Sequence, residues 1–123
     1  MTYRVEITRD ETRRSGGVSV DITAYIGRMP ETEPADYGRL VRVPASVWNT
    51  RLLYAGDFDD LPEAVAAIAA AYPELDEIRC YEHPTDYEAP NEMAPLVRSG
   101  ASWAPGAHPR PGGPPPQLVW RVG

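Results

Sequence analysis

The chain has no lysine, one cysteine, one phenylalanine and two histidines, and it contains no long apolar run. Each shortage removes a class of protein. A single thiol, Cys80, leaves no intramolecular disulfide to hold the fold. Two imidazoles supply little material for a Ser–His–Asp triad. Ser15, Ser19, Ser46, Ser99 and Ser102 all stand outside a nucleophile-elbow context. No stretch approaches the roughly 18 apolar residues of a membrane span. The opening "MTYRVEITRDETRR" has no apolar leader core, so the expectation is a cytoplasmic protein without membrane contact. There is no glycine-rich phosphate loop, since "SGG" is only a turn, and no cofactor is assigned.

In the absence of lysine all twelve basic residues are arginine. High-GC codon usage accounts for that preference. Its physical consequence is that every cation is a planar, permanently charged fork suited to carboxylates or phosphates. Eighteen acids bring the formal net charge to −6. Up to Glu82 there are 9 arginines against 15 acids, and beyond it 3 against 3, so the excess lies entirely in the first two-thirds. That balance argues against nucleic-acid binding, which needs a basic surface to displace counterions. It leaves association with a basic partner open.

What the chain does have is a pattern. At 123 residues it is expected to form one domain, 1–123. Tyr3, Val5 and Ile7 alternate with Arg4, Glu6 and Thr8. After "RDETRRSGG", read as a loop, Val18, Val20, Ile22, Ala24 and Ile26 alternate with Ser19, Asp21, Thr23 and Tyr25. Period two in β-branched and aromatic residues predicts an N-terminal hairpin. Residues 27–38 form a Pro- and Gly-rich loop, "RLVRV" a short strand, and "TRLLYAG" a strand covered on both faces.

"DLPEAVAAIAAAYP" predicts the main helix, about 60–72. Asp60 and Glu63 have capping-box spacing, Pro62 lies in the first turn, and Leu61, Val65, Ile68 and Tyr72 share a face. "DEIRCYEH" returns as a strand. Strand, helix and strand then make one crossover with parallel strands, extended by the hairpin. The fold class is α+β: a mixed β-sheet of about five or six strands, one helix packed on one face, and a long Pro-rich C-terminal arm. Nine of the 14 prolines lie in 83–116, which is read as an irregular arm, with "NEMAPLVRSG" forming a helical turn or short strand within it. The arm ends in a terminal strand at 117–122, "QLVWRV", which needs a sheet to join.

Few residues invite chemistry. Cys80 and His83, with a carboxylate among Glu82, Asp86 and Glu88 and a distant His108, are the one imaginable metal set. A strand points Cys80 and His83 to opposite faces, so no metal site is assigned. Asp57, Asp59 and Asp60 precede the helix, where capping and the helix dipole explain them. Asp57 and Asp59 also lie at the C-terminal end of a strand, where α/β sheets bind ligands. Arg13 and Arg14 beside Asp10 and Glu11 read as a neutralised loop tip. Trp120 reads as core, whereas Trp48 and Trp103 either plug the core edge or anchor an interface. "PRPGGPPP", with Arg110, is a tether or a ligand for an aromatic groove.

The binding candidates are Trp48, Asp57, Asp59, Trp103 and Arg110, and no catalytic residue is assigned. The functional expectation is a non-enzymatic protein-interaction module: an accessory, regulatory or inhibitory subunit, or a component of a larger assembly. It would act by surface complementarity on a protein partner or by self-association. The alternative is a small enzyme or small-molecule-binding protein. Its pocket would lie between the sheet edge and the 83–116 arm and use Asp57, Asp59, Glu82 or His83.

Overall fold

A computed structural model describes residues 2–30, 38–48, 50–83 and 89–106. The alternating segments form β1 (Thr2–Arg14) and β2 (Gly17–Met29), antiparallel and in register from Thr2↔Met29 to Arg14↔Gly17. The expected loop "RDETRRSGG" is instead mostly ladder, closed by a turn at Ser15 and Gly16. The cause is environmental. This part of the ribbon is exposed on both faces, so no apolar residues are needed to mark it as strand. An Arg9–Glu11 ion pair at 2.6 Å and an Arg51–Asp10 pair support it instead.

The remaining elements are β3 (Val41–Arg42), β4 (Leu52–Phe58), α1 (Leu61–Ala71), β5 (Glu77–Glu82), β6 (Asn91–Glu92), β7 (Leu96–Ser99) and β8 (Ser102–Pro105). They make an eight-stranded sheet in the order β3-β4-β1-β2-β5-β7-β8, with β6 pairing beside β5. The strand count therefore exceeds the expected five or six. Strands β4 and β5 are parallel, as a crossover through α1 requires, but they are not neighbours. The hairpin sits between them, with β1 antiparallel to β4 and β2 parallel to β5. Instead of extending one side of the sheet, it offers an edge to each.

A second correction concerns the arm. Within the stretch read as irregular, β7 and β8 form a hairpin that turns at Gly100 (φ 62°), and β6 pairs with the end of β5. The prolines flanking this hairpin sit where strands tolerate them: Pro95 just before β7, and Pro105 at the end of the edge strand β8. The terminal strand 117–122, with Trp120, and the tether leading to it lie outside the described residues.

Pairing partners share a face, so one side of the sheet collects Val5, Ile7, Ala24, Ile26, Ile78 and Cys80. Helix α1 covers that side with Leu61, Ala64, Val65 and Ile68; Phe58, Met93 and Leu96 close its margins. Asp60 stands at the N-cap in extended conformation, but its side chain makes no capping hydrogen bond, so the capping box is not formed. The helix is held by its packed face. Its outer alanines, Ala66, Ala70 and Ala71, are exposed. At the foot of this layer Arg28 pairs with Glu82. Burial disfavours the Arg28 charge, yet the Glu82 carboxylate and the Tyr3 hydroxyl outweigh it and hold its pKa above the ordinary value.

Two outcomes test this packing. A methyl group on Gly56 would overlap the backbone carbonyl of Arg39, which crosses β4 at that point. Gly56→Ala should therefore lower stability by about 1–3 kcal/mol in urea unfolding. Burial pushes the Cys80 thiol up from 9.0 to about 12, outweighing a hydrogen bond with the Leu96 backbone that acts the other way. The folded chain keeps a proton that the unfolded chain gives up. The Cys80 contribution to stability should be fully present below about pH 9, then be lost by up to about 1.4 kcal/mol per pH unit towards pH 12. Cys80→Ala should remove that component of the slope, and the native thiol should resist alkylation at pH 8.

Candidate functional site

The other side of the sheet is built from the alternate residues, and among the described residues no helix covers it. Arg4, Glu6 and Thr8 of β1 lie here with Tyr25 and Gly27 of β2, Ala55 and Asp57 of β4, and Arg79 and Tyr81 of β5. A cleft of about 290 Å³ opens at the end of the sheet where β2 and β5 finish and β1 begins. Arg4, Glu6, Tyr25 and Tyr81 form its polar and aromatic wall, His83 and Gly27 its inner end, and Met29 and Pro90 its apolar rim.

Each side chain is placed by a local cause. Arg4 lies opposite Asp57 in the β1–β4 pair, and its guanidinium grips that carboxylate with Nε at 2.9 Å and Nη2 at 3.4 Å. Asp57 is thus engaged in the sheet, with only 14% of its side chain exposed. Tyr25 and Tyr81 come from adjacent strands, and their rings lie 6.0 Å apart at 32°. The backbone N–H of His83 donates to the Arg28 carbonyl at 2.9 Å, which fixes the chain as it leaves β5. Its imidazole then lies over Gly27, where a Cβ would stand 3.1 Å from Nε2. Glycine at 27 makes room for the ring. Among the described residues no side chain or backbone group bonds the Glu6 carboxylate, the Tyr25 and Tyr81 hydroxyls or the His83 imidazole.

The residues singled out in the sequence are scattered. Trp48 does not plug the core; in the connection from β3 to β4 it is 96% exposed. Asp59 is exposed between β4 and α1. Trp103 is half-buried on β8 at the far edge, packed against the core with Arg98 over its ring at 5.8 Å. Arg110, like Asp86, Glu88 and His108, lies outside the described residues. Cys80 is buried in the core and His83 lies on the opposite face, so the two do not converge. Glu82 faces the helix side with Arg28. Of the residues singled out in the sequence, His83 lines the cleft and Asp57 borders it through Arg4.

Arg4, Glu6, Tyr25 and Tyr81 form no motif in the sequence. Their only signal was their position as the polar half of well-formed alternations. A comparison with protein-family models, characterised proteins and solved structures finds no match for this chain. No helix among the described residues is long and apolar enough to cross a membrane.

Gly27→Ala tests the inner end of the cleft. The neighbour it meets is the tip of a side chain, so the imidazole should swing away while stability changes by less than about 1 kcal/mol. The His83 ring resonances should shift markedly; unchanged resonances would show that the imidazole does not rest on Gly27.

Proposed function

We propose that this protein is a non-enzymatic interaction module whose contact surface is the end of the molecule opposite the cleft. The observation that carries this reading is the exposure of Val47 and Trp48, 94% and 96% respectively. Side chains so fully exposed add nothing to the core and leave their apolar area available to a partner, and tryptophan is among the residues most enriched at binding hot spots.

Further features support the same end. The Trp48 connection is tied to the ribbon by the Arg9 N–H donating to the Arg51 carbonyl at 2.8 Å, and by the Arg51–Asp10 ion pair. The ribbon carries Val18, Val20 and Ile22 on one face, opposite Arg13, Glu11 and Arg9. Val18 and Val20 are 58% and 46% exposed. Beyond the reach of β4 and β5 the ribbon has open edges among the described residues.

Charge selects the partner. Arg13 and Arg14 are exposed at the tip and form no ion pair among the described residues, so this end is locally cationic on a chain of net charge −6. The surface it fits is a protein groove with an apolar floor and an acidic rim.

A photoreactive residue placed at position 48 or 18 of the full chain, in extracts of the native host, should cross-link one protein. The same residue at 66, on the exposed helix face, should not. The purified protein so identified should bind Trp48→Ser with Val18→Ser at least about thirtyfold more weakly, the scale of a lost hot spot. Undiminished binding by that variant would refute the reading. Cross-linking only to a second copy of the chain would replace the hetero-partner with self-association.

A further inference from the structure

The geometry of the cleft points to a second site, independent of the ribbon, that takes an organic cation: a guanidinium or alkylammonium group held by Glu6 against the paired rings of Tyr25 and Tyr81. Charge accounting leads there first. Two formal charges line the cleft, Arg4 and Glu6. Arg4 is answered by Asp57 at 2.9 and 3.4 Å. Glu6 has no such answer among the described residues, so the cleft presents one carboxylate in excess. Arg79, beside Tyr25 in the β2–β5 pair, is turned towards Glu77 with Nε at 3.9 Å from the carboxylate. It therefore adds little positive field at Glu6.

The surroundings of that carboxylate decide which cation it suits. A small metal ion needs several hard oxygen ligands, and no group of three His, Cys, Asp or Glu side chains able to hold one occurs among the described residues. An organic cation needs one counter-charge and aromatic faces. Tyr25 and Tyr81 provide two rings 6.0 Å apart, tilted by 32°. Met29 and Pro90 on the rim can bury an alkyl stem. The volume of about 290 Å³ accommodates one amino-acid side chain or a small amine. An anion is disfavoured, because its counterpart Arg4 is already committed and Glu6 would repel it.

Such a cation has two sources, a basic side chain of another protein and a free amine, and the test separates them. Amide spectra of the full chain are recorded against Nα-acetyl-arginine methylamide, which mimics a residue in a chain, and against agmatine, which carries a free amine. The expected result is saturable, millimolar binding that shifts the signals of Glu6, Tyr25, Gly27, Tyr81 and His83 and leaves the ribbon unmoved. Tighter binding of one probe identifies the source.

Glu6 is exposed, so Glu6→Gln should fold normally and weaken binding roughly five- to tenfold. Tyr25→Leu should do the same, while Tyr25→Phe, which keeps the ring, should preserve most of the affinity. Equal binding of the neutral isostere Nα-acetyl-citrulline methylamide would overturn the assignment. So would cleft shifts produced by Nα-acetyl-aspartate methylamide and not by the cations, or an undiminished response in Glu6→Gln.

Discussion

The β1–β2 ladder is the constraint on which the rest of this structure depends. Its pairing runs without interruption from Thr2↔Met29 to Arg14↔Gly17, and each strand offers its outer edge to a further strand. Without β1, β4 keeps only the two-residue β3 as a neighbour; without β2, β5 loses its parallel partner. The crossover through α1 must span the width of the hairpin, and this places the helix across the sheet's apolar side. The helix has no side-chain cap at Asp60. Its stability comes from burying Leu61, Ala64, Val65 and Ile68 against strands that the hairpin has already aligned.

Period two in the hairpin divides the chemistry of the protein between two faces. The residues that build the core, Val5, Ile7, Ala24 and Ile26, alternate with those that build the cleft, Arg4, Glu6, Tyr25 and Gly27. Length divides it again. Near the start of β1 and the end of β2 the ladder is flanked by β4 and β5, and side chains from three strands surround a concavity. Towards the turn both neighbours have stopped, and the same two strands become a ribbon with exposed valines and arginines. One ladder thus presents a concave, carboxylate-bearing end and an open, apolar and cationic end.

How far this was legible in the sequence follows from where apolar residues are required. Val5 and Ile7, Ala24 and Ile26, and the Leu61-Val65-Ile68 face all report burial, and each element appears where that pattern placed it. On the distal ribbon Val18 and Val20 keep the period although exposed, whereas Arg9 to Arg14 across from them carry no hydrophobic period, and that half reads as a loop. β7 falls within the segment read as a helical turn or short strand, while β8 is hidden by the proline at its end, a tolerated edge position. The order of strands was beyond reach for a different reason. It depends on which edges pair, and Arg4–Asp57 or Gly27–Tyr81 become neighbours only through that choice. A cleft assembled from four polar positions on three strands has no contiguous motif to find. Trp48, by contrast, stands out in the sequence by its size, but its outward direction is set by the fold of the β3–β4 connection.

The register that builds the core also protects the cleft. A slip of β1 by one residue would turn Arg4 and Glu6 inward and Val5 and Ile7 outward, burying two charges and exposing two of the most enclosed side chains in the molecule. The cost of that exchange is far beyond what hydrogen bonds gained in a new register can return. The positions of Glu6, Tyr25 and Gly27 are therefore held by residues on the opposite face that never touch a ligand. No such lock acts on the ribbon beyond Ile22, where both faces meet water and either register leaves side chains equally wet. The two ends of one hairpin differ in this respect: the cleft is specified by the core behind it, whereas the ribbon's alignment rests on its own cross-strand pairs and on the Arg51–Asp10 tie to the Trp48 connection.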